Sequence, residues 1–305
     1  KRDVNAMKKS YIYPALLLAI VLWGFSFIWT QKLLISDIPV FTLIAIRMIL
    51  SGTLLFIFSK LTGKLEKVRK EDWKWMALLA FSEPFVYFIG ETFGLKSTES
   101  PTLCALIVAT IPVFVMFSET IFYKAKFAKR NIFGVFLTIP GIFLMVMQSG
   151  DFSTKYWWGI AFLFLAVCGS VGYSTFARKL GDKYNAYTIS TYQFLIGFLF
   201  FAPFSLATND GYDLKNFLNP EILRPLVALA VLCSCVAFVC YMASIKEIGM
   251  TKTSVFTALI PAVSAVGSWM YGYEQLTFIQ IVGVAVVVCG VIITQMKKTN
   301  KIKSK

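Results

Sequence analysis

Residues 40–58 read VFTLIAIRMILSGTLLFIF. A nearly unbroken apolar run of about 20 residues is the length an α-helix needs to cross a hydrocarbon core. The run carries one charge, Arg47, the only Lys or Arg of the chain that stands neither in nor beside a loop. A permanent charge at membrane depth costs several kcal/mol unless a partner or water solvates it, and such residues mark pathways and sites. The reading of this stretch therefore fixes the fold class and supplies the first functional candidate.

The rest of the chain agrees with a membrane reading. Of 305 residues, 57% are hydrophobic and 15% charged, and the mean hydropathy is +0.70. Soluble domains carry about 25% charged residues. Working outward from 40–58, apolar runs recur at about 13–31, 72–95, 101–122, 131–148, 156–177, 186–207, 222–245, 252–272 and 276–296. The expected fold is all-α and polytopic, with ten spans joined by short loops. Residues 1–6 (KRDVNA) read as an addition ahead of a natural start at Met7. The first run is too long and too aromatic for a cleaved signal and is kept as a span.

Positive charge gives an orientation. Of the 30 Lys and Arg residues, 24 fall at the N-terminus, the C-terminal tail and the loops after even-numbered spans. Five (Lys32, Lys96, Lys155, Lys215 and Arg224) fall on the other side. The alternation places both termini in the cytoplasm, and the expected location is a plasma membrane of the bacterial inner-membrane kind. It also explains the net charge of +14 without a nucleic-acid partner.

The halves repeat. At an offset of 149, Thr102, Ala109, Ile111, Pro112, Gly134, Val135 and Gly141 meet Thr251, Ala258, Ile260, Pro261, Gly283, Val284 and Gly290; at 148, Gly24 and Ser26 meet Gly172 and Ser174. Five spans per half is odd, so the second half enters from the opposite face, the inverted-repeat plan of many secondary transporters. The expected division is 1–150 and 151–305. Pro112 and Pro261 then sit at equivalent depths in spans 4 and 9, and both packed kinks and hinges are open for them.

LWGFSF at 22–27 is similar to the LWG-x-x-F opening of the drug/metabolite transporter superfamily, EamA branch. KEIGMTKTSVFTALIPAVSAVGSWMYGYEQLTFIQIVGVAVVVCGVIIT at 246–294 resembles that family's closing segment, with a Pro in span 9, a Gly-x-Glu turn at Gly272-Tyr273-Glu274 and a Gly-containing span 10. The resemblance implies two inverted five-helix repeats. It also implies a cavity walled by spans 1–4 and 6–9, supporting spans 5 and 10, and transport of small metabolites, often amino acids and often outward. Family members often carry Glu before the prolines of spans 4 and 9. Here those positions are Ile111 and Ile260, and the first-half turn, YKAKF, lacks the counterpart of Glu274.

Glu83, Glu91 and Glu119 are the acidic residues inside expected spans. At 1.5 Å per residue, Arg47 lies roughly 10 Å, Glu83 roughly 18 Å and Glu91 roughly 6 Å from the outer ends of their spans. Glu83, Tyr87 and Glu91 follow i, i+4, i+8 spacing on one helix face, so Arg47 is expected between the two carboxylates. Two roles are open: an ion pair that fixes spans 2 and 3, or a substrate site. Glu119 reads as a snorkelling residue near Lys124. Gln193 maps near Arg47 in the second half, as a wall of the cavity or an interhelical hydrogen bond. Trp23, Tyr87, Tyr173, Tyr192, Tyr241 and Trp269 are expected deep in the bundle, as packing or as an aromatic lining.

Enzyme chemistry is disfavoured. There is no His, the six Cys lie in apolar runs and read as small buried residues, and no nucleophile–base pair is apparent. No G-x-x-x-x-G-K-[ST] stretch suggests ATP drive, and no cofactor is expected. The expected function is secondary transport of an amino acid or similar zwitterion. Arg47 would take its carboxylate, and Glu83 and Glu91 its amine or a coupling proton. An exporter of amphipathic organic cations is the alternative.

Overall fold

A computed structural model of the protein describes residues 2–123, 129–149, 153–208 and 212–295. These form ten helical segments, with no strand among the described residues. The first three spans are Arg2–Ile35, Val40–Leu61, and a third made of Trp73–Ala80, a π-helical turn Phe81–Val86 and Tyr87–Thr98. Span 4 combines Pro101–Val108 and Ile111–Tyr123, and span 5 is Lys129–Ser149. Thr154–Gly181 and Ala186–Ala207 are spans 6 and 7. Span 8 comprises Pro220–Val227, the π-helical Ala228–Val236 and Ala237–Ile248. Span 9 comprises Met250–Val255, a 3₁₀ turn Phe256–Leu259 and Ile260–Met270, and span 10 is Phe278–Gln295. Six of these helices are individually long and apolar enough to cross a bilayer, and others are shorter and apolar. The chain is a polytopic all-α membrane protein.

Local chemistry starts the spans where sequence logic requires. Ser100 accepts from the Leu103 N–H and is followed by Pro101 at the first helical position. Ser153, Asn185 and Asn219 cap spans 6, 7 and 8 in the same way. Gly249, at φ +87°, makes the tight passage from span 8 to span 9 that a Cβ would strain.

The packing repeats as the sequence does. Span 2 packs on 7, span 5 on 10 and span 4 on 9, while span 1 packs on 8 as span 3 packs on 6. Every one of these pairings is returned when five is added to each span number, modulo ten. The irregularities repeat too: spans 3 and 8 carry the π-helical turns, and spans 4 and 9 break just before Ile111-Pro112 and Ile260-Pro261. At both breaks a threonine hydroxyl recaptures a carbonyl, Thr110 to Ile107 O at 2.6 Å and Thr257 to Ser254 O at 2.7 Å.

Small residues set the close approaches. A Cβ on Gly141 would stand 2.7 Å from Gly283 O, and one on Gly290 would stand 2.9 Å from Gly134 O. These are the four glycines matched by the repeat at offset 149, and they face one another where spans 5 and 10 cross. Gly169 and Gly172 of span 6 similarly admit Ser82 and Tyr87 at the π-turn of span 3.

Three expectations change. Span 3 is not a continuous α-helix: Pro84 lacks the N–H an interior turn needs, and Glu83 has extended torsions (φ −148°, ψ 116°) before a cis Glu83–Pro84 bond. The i, i+4, i+8 stripe is therefore interrupted. Trp269 is 68% exposed, on the outside of the bundle rather than deep within it. Cys168 and Cys289 are also exposed, so not all cysteines are core residues; a thiol is apolar enough for a lipid-facing position. The side chains of Glu119 and Lys124 lie outside the described residues.

Candidate functional site

A central cavity lies where the irregular turns meet. Spans 1, 2, 3, 4, 6, 8 and 9 wall it. Arg47, Glu83, Tyr87 and Glu91 line it together with Trp23, Tyr173 and Tyr241. Ser26, Phe88, Ser170, Phe238 and Thr257 complete much of the wall, and Ile111 and Ile260, each preceding its proline, face it from matching positions.

The π-helical segment of span 8 organises the charged side. A widened helical turn leaves backbone groups free for partners outside the helix. Trp23 of the LWG motif donates its indole N–H to Cys233 O at 3.1 Å, and Ser51 donates to Ala230 O at 3.1 Å. Arg47 Nε donates to Ser234 Oγ at 2.9 Å, and its guanidinium carbon stands 4.4 Å from the Phe88 ring centroid. A desolvated cation over an aromatic face is worth about 2 kcal/mol. That contact and the serine bond offset part of the cost of burying Arg47, which is only 6% exposed.

The ion pair between Arg47 and Glu83 is not formed. No Asp or Glu oxygen lies within 4 Å of the Arg47 nitrogens among the described residues. The extended torsions at Glu83 redirect its side chain toward span 6, where Ser170 lies beside it. Glu91 has Tyr87 beside it, and its Oε2 has no hydrogen-bond partner. The Tyr173 hydroxyl, in a residue 1% exposed, is also unpartnered. The cavity thus presents one cation, two carboxyl groups and phenol hydroxyls, with its cation and carboxylates held apart.

Gln193 is not in the cavity. Span 7 contributes nothing to the wall, and neither amide atom of the fully buried Gln193 has a partner, so the interhelical bond is not made either. Inverted symmetry is the reason: Arg47 lies seven residues from the start of span 2 and Gln193 seven from the start of span 7, so equivalent positions fall at opposite depths. Tyr192 instead packs its ring on Trp73, 5.0 Å between centroids.

The cavity volume is about 30 Å³. A water needs about 10–15 Å³ by this measure, whereas small-molecule sites occupy about 300–1,000 Å³. The cavity is too small for such a ligand as it stands, and an ion pair joins the two halves at each end of the bundle. At one end, Lys183 at the close of span 6 meets Asp72 at the start of span 3 at 2.6 Å, and Tyr184 donates to the same carboxylate at 2.8 Å. At the other, Lys32 near the close of span 1 meets Glu221 at the start of span 8 at 2.5 Å. Adding five to the span numbers exchanges these two bridges. They differ in solvent access: the Asp72 side chain is 1% exposed, that of Glu221 66%. The ammonium of Lys183 holds the Asp72 carboxyl below its usual range against the opposing effect of burial, with Tyr184 assisting. The Lys183 ammonium is raised by the same bond.

Sequence reasoning missed a further link between the halves. Glu274, in the Gly272-Tyr273-Glu274 turn, accepts from the hydroxyls of Ser100 and Thr102 and from the Thr102 N–H at 3.2 Å. It thereby caps the start of span 4 from the loop before span 10. The family-like turn marked the residue; nothing local in the sequence marked its partner.

These features coincide with a family. Residues 10–147 and 157–296 each match the EamA-like transporter family. The chain belongs to the EamA-like transporter family. An uncharacterized transporter of Archaeoglobus fulgidus is 26% identical over 285 residues, covering 93% of this chain and 96% of that protein. The uncharacterized transporter YetK of Bacillus subtilis is 25% identical over 301 residues, covering 97% and 90%. A solved crystal structure superposes with a TM-score of 0.69 at 16% identity, covering 94% of this chain and 98% of that one, which speaks to fold alone. As an EamA-like transporter the protein sits in a lipid bilayer and takes small-molecule substrates, and its relatives are named as transporters rather than enzymes.

Proposed function

We propose that the protein moves a small zwitterion, an amino acid or close relative, out of the cell by alternating access of the two halves, 1–150 and 151–305. The observation that carries this reading is the separation of charge in the cavity. Arg47 is held by a serine and a ring, not by Glu83 or Glu91, so its charge remains available to a carboxylate. Glu91 and Tyr173 offer unpartnered oxygens to an ammonium within the same volume. Such a ligand would supply the missing partner to both signs at once. Buried charge left unpaired is costly, so occupancy stabilises the closed site and is coupled to reorientation.

The cavity must widen to admit its ligand. The breaks before Pro112 and Pro261, adjacent to the lining Ile111 and Ile260, are the proposed hinges. Glu83, beside Ser170 rather than Arg47, is the proposed carrier of a coupling proton. The Lys and Arg asymmetry supports termini in the cytoplasm, with a plasma membrane of the bacterial inner-membrane kind as the proposed location.

The two carboxyl groups and the rings of Trp23, Phe88, Tyr173, Phe238 and Tyr241 favour a second reading, export of amphipathic organic cations. Transport in proteoliposomes separates the two. Under the zwitterion reading, Arg47→Gln and Glu83→Gln at matched reconstitution each lose most transport, and amino acids but not quaternary ammonium compounds compete. Full transport by both variants with intact folding refutes the site. Competition by quaternary ammonium compounds alone, with Arg47→Gln still active, selects the cation reading.

A further inference from the structure

An apolar groove on the outside of the bundle, sharing no lining residue with the central cavity, lies between spans 2, 7 and 8. Leu54 and Phe58 of span 2, Tyr187 of span 7, and Val236, Val239 and Cys240 of span 8 form most of its wall. Its volume is about 450 Å³. The groove runs from mid-span toward the loop end of span 2, where the Phe58 and Tyr187 rings stand 5.7 Å apart.

At that end sits a cation. The Lys64 ammonium is 4.3 Å from the Tyr187 ring centroid and 5.4 Å from that of Phe58. The backbone places it there: Lys64 O accepts from Asn185 Nδ2 at 2.7 Å and from Thr188 Oγ1 at 3.3 Å, fastening the loop after span 2 onto the start of span 7. No carboxylate oxygen lies within 4 Å of the ammonium among the described residues. The neighbouring Glu66 is instead turned to the Asn185 N–H at 2.7 Å. An uncompensated cation therefore caps an apolar trough at the level where a membrane span ends.

We propose that this groove holds one acyl chain of an anionic phospholipid, with the lipid phosphate on Lys64. Lipid tails are as apolar as Leu and Val, so the walls accept any acyl chain and do not discriminate. Discrimination falls to the headgroup. A Lys at the membrane surface is worth about 1 kcal/mol toward an anionic lipid, or about fivefold in occupancy. A net-neutral phosphocholine headgroup presents its own cation to Lys64 and gains little. The assignment rests on the spans and the groove alone and does not depend on what the central cavity carries.

Native mass spectrometry of the purified full chain tests it, with equimolar phosphatidylglycerol and phosphatidylcholine of matched acyl chains. The first phosphatidylglycerol adduct is expected to exceed the phosphatidylcholine adduct about fivefold. Lys64→Gln, at an exposed side chain, should bring the ratio near one without lowering phosphatidylcholine. Lys67→Gln, an exposed lysine of the same loop, should leave the ratio unchanged. Val239→Trp, which fills the groove, should remove the first adduct of both lipids. Equal adducts in the unaltered chain overturn the proposal, as does an equal drop in Lys67→Gln, which would mean diffuse charge attraction. A lipid-free dimer that Val239→Trp dissociates would assign the groove to a second copy and overturn it too. Should Val239→Trp fail to fold, the contrast between Lys64→Gln and Lys67→Gln decides alone.

Discussion

Replacing Glu274 by Gln should open one end of the cavity. The carboxylate receives two hydroxyls and an N–H, from Ser100 and Thr102, at the first turn of span 4. Gln keeps one acceptor oxygen and turns an NH₂ toward the remaining donors. The loss is about one charge-assisted hydrogen bond, about 1.5–3 kcal/mol. The favourable charge at a helix N-terminus, about 0.3–1 kcal/mol, goes with it. Glu274 is only partly buried, so solvent replaces some of this, and about 2 kcal/mol is a fair net value. Under the proposed alternating access, opening this end breaks these bonds, so opening should become roughly thirtyfold more favourable at about 1.4 kcal/mol per decade. Cys104 is the reporter. It lies two residues beyond Thr102 and is fully buried. Its labelling by a membrane-impermeant maleimide, resolved by peptide mass, should accelerate roughly thirtyfold in Glu274→Gln by the same conversion. Thr102→Ala should accelerate it less, and the double variant should fall short of the sum because both remove one contact. Labelling that is unchanged in both Glu274→Gln and Glu274→Ala would refute the closure.

Two further outcomes follow from packing and charge. The Asp72 carboxyl is held below its usual range by Lys183, so its contribution is present above the unfolded value, about 3.9, and is lost as pH falls through the folded value. The melting-temperature advantage of the unaltered protein over Asp72→Asn should therefore hold from neutral pH to about 5 and shrink below about 4; an advantage equal at pH 7 and pH 3 would contradict the pairing. Gly141→Val should lower stability by about 1–3 kcal/mol or more, because its Cβ meets Gly283 O, a backbone atom that cannot turn aside. A thermal melt within a degree of the unaltered protein would show that spans 5 and 10 do not cross as described.

The scaffold was legible because hydrocarbon imposes a length and leaves loops to carry charge. Arg47, Glu83 and Glu91 were legible for the converse reason: each breaks an apolar run that has no other reason to be broken. Their geometry was not. A constant helical rise assumes a constant helix, and Pro84, plainly present in the sequence, ends that assumption at the residue beside it. Ser234 gave no signal, since a serine in an apolar run is unremarkable until an arginine from a span far away in sequence reaches it. The two end bridges were hidden likewise: Lys32 with Glu221 and Lys183 with Asp72 are ordinary loop-end charges until the halves are superposed. Gln193 was misplaced by matching sequence position alone: between inverted halves, equal distance from the start of a span means opposite depth.

The backbone of this transporter is duplicated, but its cavity charges are not. Arg47, Glu83 and Glu91 all come from the first five spans, while the second five contribute Ser170, Tyr173, Phe238, Tyr241, Thr257 and Ile260, which are neutral. The two copies thus divide the chamber unequally, with every charged lining residue on one side of the duplication. A substitution at Phe238 or Tyr241 reshapes the chamber without touching a charge, and no substitution in the second half can remove one.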